Sequence, residues 1–252
     1  MRRLLLWYLP LTVALAATIV FGWGFYAFLS GNLGEPVDFV PRANAMPSAP
    51  RAVIAGIVIG DSLARGTGDT TGLGIGGRLD QELHRRNIRA NRTINLGING
   101  ARTINLQQQL TSRNIRTLLA QANTVIVSIG GNDLWGGTDW RTAPPSDPDA
   151  VMAQVIDRIA GVIHTIREAN PTARIFFVGL YNPFVASPAG PQLTALVNRW
   201  NARLLERFGT DPNFTLVQTV DLFSHRKRLS VDNFHPGDEG YALIARRIAD
   251  SL

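Results

Sequence analysis

Along most of the chain, short apolar runs alternate with longer stretches in which apolar residues recur at helical spacing. The apolar runs predict five strands, at residues 52–59, 93–96, 124–129, 174–180 and 215–220. The longer stretches predict helices near residues 76–89, 103–122, 150–169, 192–208 and 238–251. Strands that alternate with helices in this way are typical of α/β proteins, so we expect a parallel, doubly wound sheet.

The N-terminal part of the chain has a different pattern, because residues 4–29 contain no charged side chain. About 20 apolar residues in a helix are enough to cross the hydrocarbon core of a bilayer. Arg2 and Arg3 precede this stretch, and Glu35 and Asp38 follow it. This charge distribution predicts a cytoplasmic amino terminus and an extracytoplasmic location for the rest of the chain.

Three segments follow from this pattern. Residues 1–29 are expected to form a signal anchor, residues 30–51 a linker rich in Gly, Pro, Ala and Asn, and residues 52–252 a globular domain. Cleavage of the leader remains an alternative, because Ala43-Asn44-Ala45 has the small-x-small pattern of a signal-peptidase site. Cleavage there would release a secreted protein.

Composition narrows the classes of site and partner. The chain has no cysteine, which excludes disulfides and thiolate metal sites. Its net charge of +6 comes almost entirely from arginine. The densest basic cluster lies beside His84 and consists of Arg85, Arg86, Arg89 and Arg92. It could contact phosphate or anionic lipid headgroups, but a solvated helix end is the favoured interpretation because no aromatic stacking platform accompanies it. No nucleic-acid partner is therefore expected.

Polar residues and glycines follow several of the predicted strands. Ser62 comes directly after the first strand, Gly100 lies in the segment after the second, and Asn132 follows the third. Asp232 and His235 lie in the segment after the fifth. The carboxyl ends of parallel strands meet at one edge of a sheet, so these residues are expected to converge there.

These residue types are the ones that acyl transfer needs. Ser62 is the candidate nucleophile, His235 the base that takes its proton, and Asp232 the acid that orients the imidazole. The candidate oxyanion-hole donors are the backbone N–H groups of Ser62 and Gly100 and the side-chain amide of Asn132. Asp61 is assigned a structural role in bracing neighbouring N–H groups.

Four blocks carry a resemblance to a known family. They are Gly60-Asp61-Ser62-Leu63, residues 95–100 with Thr103, Gly131-Asn132-Asp133, and Asp232-Asn233-Phe234-His235-Pro236. In this order and spacing they look like the conserved blocks of the SGNH (GDSL) hydrolases. The resemblance spans residues 52–252, and residues 62–69 and 235–241 are similar to the bacterial lysophospholipase/esterase-like branch.

The resemblance implies a flavodoxin-like three-layer α/β/α sandwich. It also implies a lipase-like serine esterase or acylhydrolase that cleaves carboxylic esters or thioesters through an acyl-enzyme, with no metal and no cofactor. Ser62, Gly100, Asn132 and His235 match the four residues that give the family its name, and Asp232 matches its acid. The implied partners are a small-molecule, lipid or glycan ester and, through the N-terminal helix, a membrane.

Several alternatives stay open on the sequence alone. A carbohydrate O-deacetylase of the cell envelope would use the same chemistry, and a silent glycan- or lipid-binding module would keep the fold without turnover. His225 is a rival base with Asp221 one helical turn before it. Trp135 and Trp140 could wall an acyl pocket or cap the edge of the sheet. The glycine-dense residues 66–77 could form a flap or a surface turn.

Overall fold

The computed structural model describes residues 2–29, 53–134, 147–224 and 226–252. Within it the chain divides into two compact units, residues 1–48 and residues 49–252. The described part of the first unit is helix α1, Arg2–Leu29. Its segment Pro10–Ala27 is long and apolar enough to cross a membrane, a property that anchors share with signal sequences. The expected linker at residues 30–51 lies outside the described residues.

The second unit is built on a parallel sheet of five strands, which confirms the predicted fold class. The strands are β1 Gly56–Gly60, β2 Ile94–Asn95, β3 Thr124–Ser128, β4 Arg174–Val178 and β5 Phe214–Val217. Their spatial order is β2-β1-β3-β4-β5, with every neighbouring pair parallel. This is the strand order of flavodoxin-like folds.

The strands are shorter than the sequence predicts. The first was expected from residue 52, but Ile54 makes only an isolated bridge to Ala90, and regular pairing begins at Gly56. The fourth and fifth end at Val178 and Val217. The predicted ends at residues 180 and 220 lie further along because Leu180 and Val220 continue the apolar pattern beyond the last paired residues.

Eight α-helices are described in the second unit. They are α2 Ser62–Arg65, α3 Gly74–Arg85, α4 Thr103–Leu110, α5 Arg113–Gln121, α6 Gly131–Leu134, α7 Pro148–Ala169, α8 Gly190–Phe208 and α9 Asp238–Asp250. The prediction of one helix over residues 103–122 is wrong. Ser112 is extended, with ψ 128°, and separates α4 from α5. The N–H groups of Thr111 and Ser112 close the end of α4 on the carbonyls of Gln108 and Gln109.

The helices cover both faces of the sheet, because successive strand residues point to opposite sides. Ile57, Val125 and Phe177 pack with α4, α5, α7 and α8 in one core. Val58 and Ile126 pack with α2, α3 and α9 in the other. The result is the expected three-layer sandwich, and all five strands end at one edge.

Candidate active site

Ser62 and His235 meet at the carboxyl edge of the sheet. Ser62 is the first residue of α2, immediately after β1, and His235 lies in the loop that leads into α9. The Oγ of Ser62 is 2.8 Å from Nε2 of His235, although 173 positions separate them in sequence. The hydroxyl therefore has a base within hydrogen-bond distance.

Asp232 holds the other side of the imidazole. Its Oδ2 lies 2.7 Å from His235 Nδ1, while its Oδ1 accepts hydrogen bonds from the N–H groups of Phe234 and His235 at 2.8 and 2.9 Å. The hydroxyl of Ser230 donates to the same Oδ1 at 2.6 Å. Burial disfavours the charged carboxylate, but the hydrogen bonds from Ser230, His235 and the backbone outweigh it and hold the pKa of Asp232 below its ordinary value.

A tight turn presents these two side chains together. Asn233 adopts a left-handed conformation with φ 56°, and the N–H of Ser230 bonds to the carbonyl of His235 at 2.8 Å. Leu229 and Pro236, the residues on either side of the turn, form an antiparallel bridge. The short i to i+3 spacing predicted from the sequence therefore brings the carboxylate to the imidazole.

Asp61 supports the start of α2 from beneath. Its Oδ1 accepts the N–H of Leu63 at 3.0 Å, which caps the helix, and the hydroxyl of Ser128 at 3.1 Å, which ties it to the end of β3. Burial raises the pKa of Asp61 to about 7, against the opposing effect of these hydrogen bonds. The Asp61 carboxyl group points into the protein interior, and its hydrogen bonds fix the backbone conformation around Ser62.

The candidate oxyanion donors come from three loops. Within the described residues, the N–H groups of Ser62 and Gly100 donate no hydrogen bond. Gly100 has φ 73° and open space where a Cβ would stand. The Nδ2 of Asn132 donates to the carbonyl of Ala101 at 2.9 Å, which fixes the amide beside Gly100 and leaves its second N–H for another acceptor.

A small cavity of about 60 Å³ adjoins this group. Ser62, Asn132 and His235 line it, and the apolar part of its wall includes Leu180 and Pro183. Gly100 is not among its lining residues. The structure thus places Ser62, Asn132 and His235 at one cavity, and Asp232 contacts the Nδ1 side of the His235 ring.

The loop after α2, which the sequence left open as a flap or a turn, is firmly tied. The buried carboxylate of Asp69 accepts hydrogen bonds from Thr71, from the N–H of Gly74 at 2.8 Å and from Arg78 at 2.9 Å. Thr70 donates through its N–H and its hydroxyl to Asp238 at the start of α9. Sequence reasoning missed this network, because its partners are up to 168 residues apart.

The other residues that the sequence singled out are the basic cluster, His225, Trp135 and Trp140. Arg85 and Arg86 of the basic cluster pair with Glu82, and Arg86 also reaches Asp250, so these two charges are neutralised within the protein. His225, Trp135 and Trp140 lie outside the described residues.

The sequence model of the GDSL-like lipase/acylhydrolase family matches residues 58–243. A curated relative is the uncharacterized protein YpmR of Bacillus subtilis strain 168, which is 27% identical over 222 residues, covering 84% of this chain and 85% of YpmR.

Solved structures share the fold. The lipase Lip_vut3 from a goat rumen metagenome is 21% identical with a TM-score of 0.67, over 79% of this chain and 97% of that one. TesA is 19% identical with a TM-score of 0.58, over 79% and 97%. A variant of Axe2, an acetyl xylan esterase from Geobacillus stearothermophilus, is 19% identical with a TM-score of 0.57, over 79% and 95%.

Proposed function

The chain belongs to the GDSL-like lipase/acylhydrolase family, whose members hydrolyse ester bonds, and from that premise we propose that it is a serine esterase in which Ser62, His235 and Asp232 form the catalytic triad. The observation that carries the proposal is the unbroken hydrogen-bond chain from Ser62 Oγ through the His235 ring to Asp232, at 2.8 and 2.7 Å. A serine hydroxyl becomes a useful nucleophile when a base accepts its proton and an acid orients that base.

The reaction proceeds in two halves. Ser62 Oγ attacks the ester carbonyl carbon as its proton moves to His235 Nε2, and the carbonyl oxygen becomes an oxyanion. The tetrahedral intermediate collapses, the alcohol leaves with the proton from His235, and an acyl-enzyme remains on Ser62. Water then attacks the acyl carbon, gives a proton to His235, and the acid departs as Ser62 regains its hydrogen.

The N–H groups of Ser62 and Gly100 and the free amide hydrogen of Asn132 stabilise the oxyanion in this proposal. Each donor acts on charge that exists only in the transition state and intermediate, so loss of one lowers turnover by about 10²–10³-fold. Asp232 keeps Nδ1 of His235 protonated and stabilises the imidazolium, a role that its low pKa supports.

Active-site labelling tests the nucleophile. A fluorophosphonate probe should label the wild-type protein, and labelling and ester turnover should both vanish in Ser62→Ala. Ser112→Ala is the matched control, because Ser112 is an exposed serine at another helix start. Undiminished labelling of Ser62→Ala would remove Ser62 from the mechanism.

We place the catalytic domain, residues 52–252, outside the cytoplasm and attach it to the membrane through α1. The support is the apolar segment Pro10–Ala27, with Arg2 and Arg3 before it. Since the chain has no cysteine, a single Gln154→Cys substitution creates one accessible thiol on α7. A membrane-impermeant maleimide should label it on spheroplasts. A mature form that begins near Met46 would instead show a cleaved, secreted protein.

A further inference from the structure

Asp133 directly follows Asn132 in α6, yet its side chain does not line the cavity beside Ser62. That side chain is only 3% exposed, and both of its oxygens accept hydrogen bonds from Thr103, the first residue of α4. Oδ2 accepts the Thr103 N–H at 2.8 Å, and Oδ1 accepts the Thr103 hydroxyl at 2.7 Å. Thr103 is itself fully buried. The pair therefore joins α6 to α4 across 30 positions of the sequence.

This contact connects the two loops that carry candidate oxyanion donors. Asn132 directly precedes Asp133, and Gly100 lies just before the start of α4 at Thr103. Asn132 Nδ2 also donates to the carbonyl of Ala101 at 2.9 Å. Residues 132–133 are thus hydrogen-bonded to residues 101–103 through both side chains. The distance between the Gly100 N–H and the free amide hydrogen of Asn132 depends on these bonds.

The segment that precedes Gly100 is attached to a different part of the site. The N–H of Ile98 donates to the carbonyl of Gly60 at 2.9 Å, and the hydroxyl of Thr67 donates to Asn99 Oδ1 at 2.8 Å. Gly100 itself is exposed and has φ 73°. It therefore lies between two attached segments, and the one that follows it connects to α6.

The contact between Asp133 and Thr103 depends on hydrogen bonds more than on an ion pair. Within the described residues, the ion-pair partner of Asp133 is Arg158 of α7, which is half-exposed and lies 3.6 Å away. Hydrogen bonds that an ionised carboxylate accepts are stronger than those between neutral groups, and the N-terminus of a helix favours a negative charge. Asp133 is therefore well placed to fix the start of α4 against α6.

We propose that Asp133 is a positioning residue for the oxyanion hole and that it acts through Thr103. The inference rests on the proposed function and adds a residue that touches neither the substrate nor the reacting atoms. A donor stabilises an oxyanion when it lies about 2.7–3.1 Å from the oxygen, so a shift of one loop against the other weakens the combined effect of Gly100 and Asn132. Because the loops are already held together, the donors need no reorganisation when the charge forms.

The effect belongs to the chemical step and not to substrate binding. The oxyanion exists only in the transition state and intermediate, so misaligned donors lower kcat and leave KM nearly constant. A trifluoromethyl ketone inhibitor gives a second measure. Ser62 Oγ adds to its carbonyl carbon, the hydroxyl proton moves to His235 Nε2, and the ketone oxygen becomes a bound oxyanion. Its inhibition constant should therefore rise by the same factor by which kcat/KM falls.

Thr103→Val and Thr93→Val form a matched pair of variants. Both threonines are buried, and each donates its N–H and its hydroxyl to one carboxylate, Asp133 for Thr103 and Asp80 for Thr93. Thr93 packs against Gly56 at the start of β1, the end of the sheet opposite to the site. With p-nitrophenyl butyrate as substrate, Thr103→Val should lower kcat about tenfold and keep KM within about twofold. Thr93→Val should lower the unfolding temperature similarly but keep the wild-type kcat.

Substitutions of Asp133 itself test the same role by rescue. Asp133→Ala removes both bonds to Thr103, so kcat should fall about 30-fold to 100-fold, up to the lower limit for loss of a whole donor. Asp133→Asn should stay within about threefold of the wild type, because its amide oxygen still accepts the N–H and its amide nitrogen can donate to the hydroxyl oxygen. Equal losses in the two variants would contradict a role through hydrogen-bond geometry.

The outcomes separate the positioning role from the proposed function. Unchanged kcat in both Thr103→Val and Asp133→Ala, in a protein that Ser62→Ala inactivates, would overturn the positioning role and leave the esterase proposal standing. Equal losses of kcat in Thr103→Val and Thr93→Val would also overturn it, because general destabilisation would then explain both. Persistence of ester turnover in Ser62→Ala would remove the proposed function itself.

Discussion

The phenolic oxygen of Tyr181 lies 2.7 Å from the carbonyl oxygen of Phe234, the residue directly before His235. The Tyr181 ring packs against the Phe223 ring with a centroid distance of 4.1 Å, and this contact fixes the position of the Tyr181 hydroxyl. Tyr181 thus connects the segment after β4 to the turn that carries Asp232 and His235. We therefore expect Tyr181 to help position the imidazole of His235.

Replacement of Tyr181 by phenylalanine should slow catalysis without impairing substrate binding. The carbonyl of Phe234 loses its donor, worth about 1 kcal/mol, and the turn gains freedom around His235. We expect kcat to fall about threefold to tenfold with KM nearly constant, and the rate of fluorophosphonate labelling to fall in parallel. Thr165→Val, which removes a hydroxyl-to-carbonyl bond within α7, is the control. If both variants label at the wild-type rate, Tyr181 is merely structural.

Asp61 should make stability depend on pH in the direction opposite to most carboxylates. Burial raises its pKa to about 7, against an unfolded value of 3.8. Between these values the folded state binds more protons than the unfolded one, so the free energy of unfolding falls as pH rises and levels off above pH 7.

The variant Asp61→Asn tests this slope, because the amide oxygen can still accept from Leu63 and Ser128. Denaturant titrations from pH 4.5 to 7.5 should show a less negative slope than in wild type, by up to about 1.4 kcal/mol per pH unit. Asp157→Asn, at an exposed site on α7, is the control. Parallel curves for wild type and Asp61→Asn would contradict the raised pKa.

The Asp69 network should contribute more to stability than a surface ion pair of the same chemistry. The Asp69 side chain is fully buried and accepts hydrogen bonds from Thr71, Gly74 and Arg78. Asp69→Asn weakens these bonds and removes the nearer of the two carboxylates that pair with Arg78, so we expect a loss of about 1–3 kcal/mol in unfolding free energy. Breaking the half-exposed pair of Arg116 and Glu168 with Arg116→Gln should cost at most about 1 kcal/mol. Similar losses in the two variants would show that burial adds nothing here.

Two glycines allow a matched test of close packing at the start of the site. Gly60 has φ 131°, and a Cβ there would lie 1.8 Å from the carbonyl oxygen of Ser128. Gly72 has φ 69° with open space around a Cβ. Gly72→Ala should cost about 1–2 kcal/mol from backbone strain alone. Gly60→Ala should cost clearly more in thermal unfolding, because β1 and β3 must separate. A smaller loss at Gly60 than at Gly72 would refute this packing.

Local pattern was sufficient to predict the layers of the fold. The apolar runs around Ile57, Val125 and Ile175 identify buried parallel strands, since side chains on both faces of such strands need apolar neighbours. The hydrophobic pattern did not predict the break between α4 and α5, because that break depends on the backbone conformation of one residue. Residues 103–122 keep helical periodicity through Ser112, yet a single extended residue breaks the helix there.

The sequence by itself determined the fold class, through the period of its apolar residues, and marked Ser62, Asn132, Asp232 and His235 as candidates through the strand ends they follow. Only the tertiary structure decided which atoms meet. The 2.8 Å approach of Ser62 to His235 and the anchoring of Thr70 by Asp238 both depend on segments that are distant along the chain. Such contacts follow from how the strands are ordered and how the helices pack across them, and neither residue spacing nor local propensity contains that information.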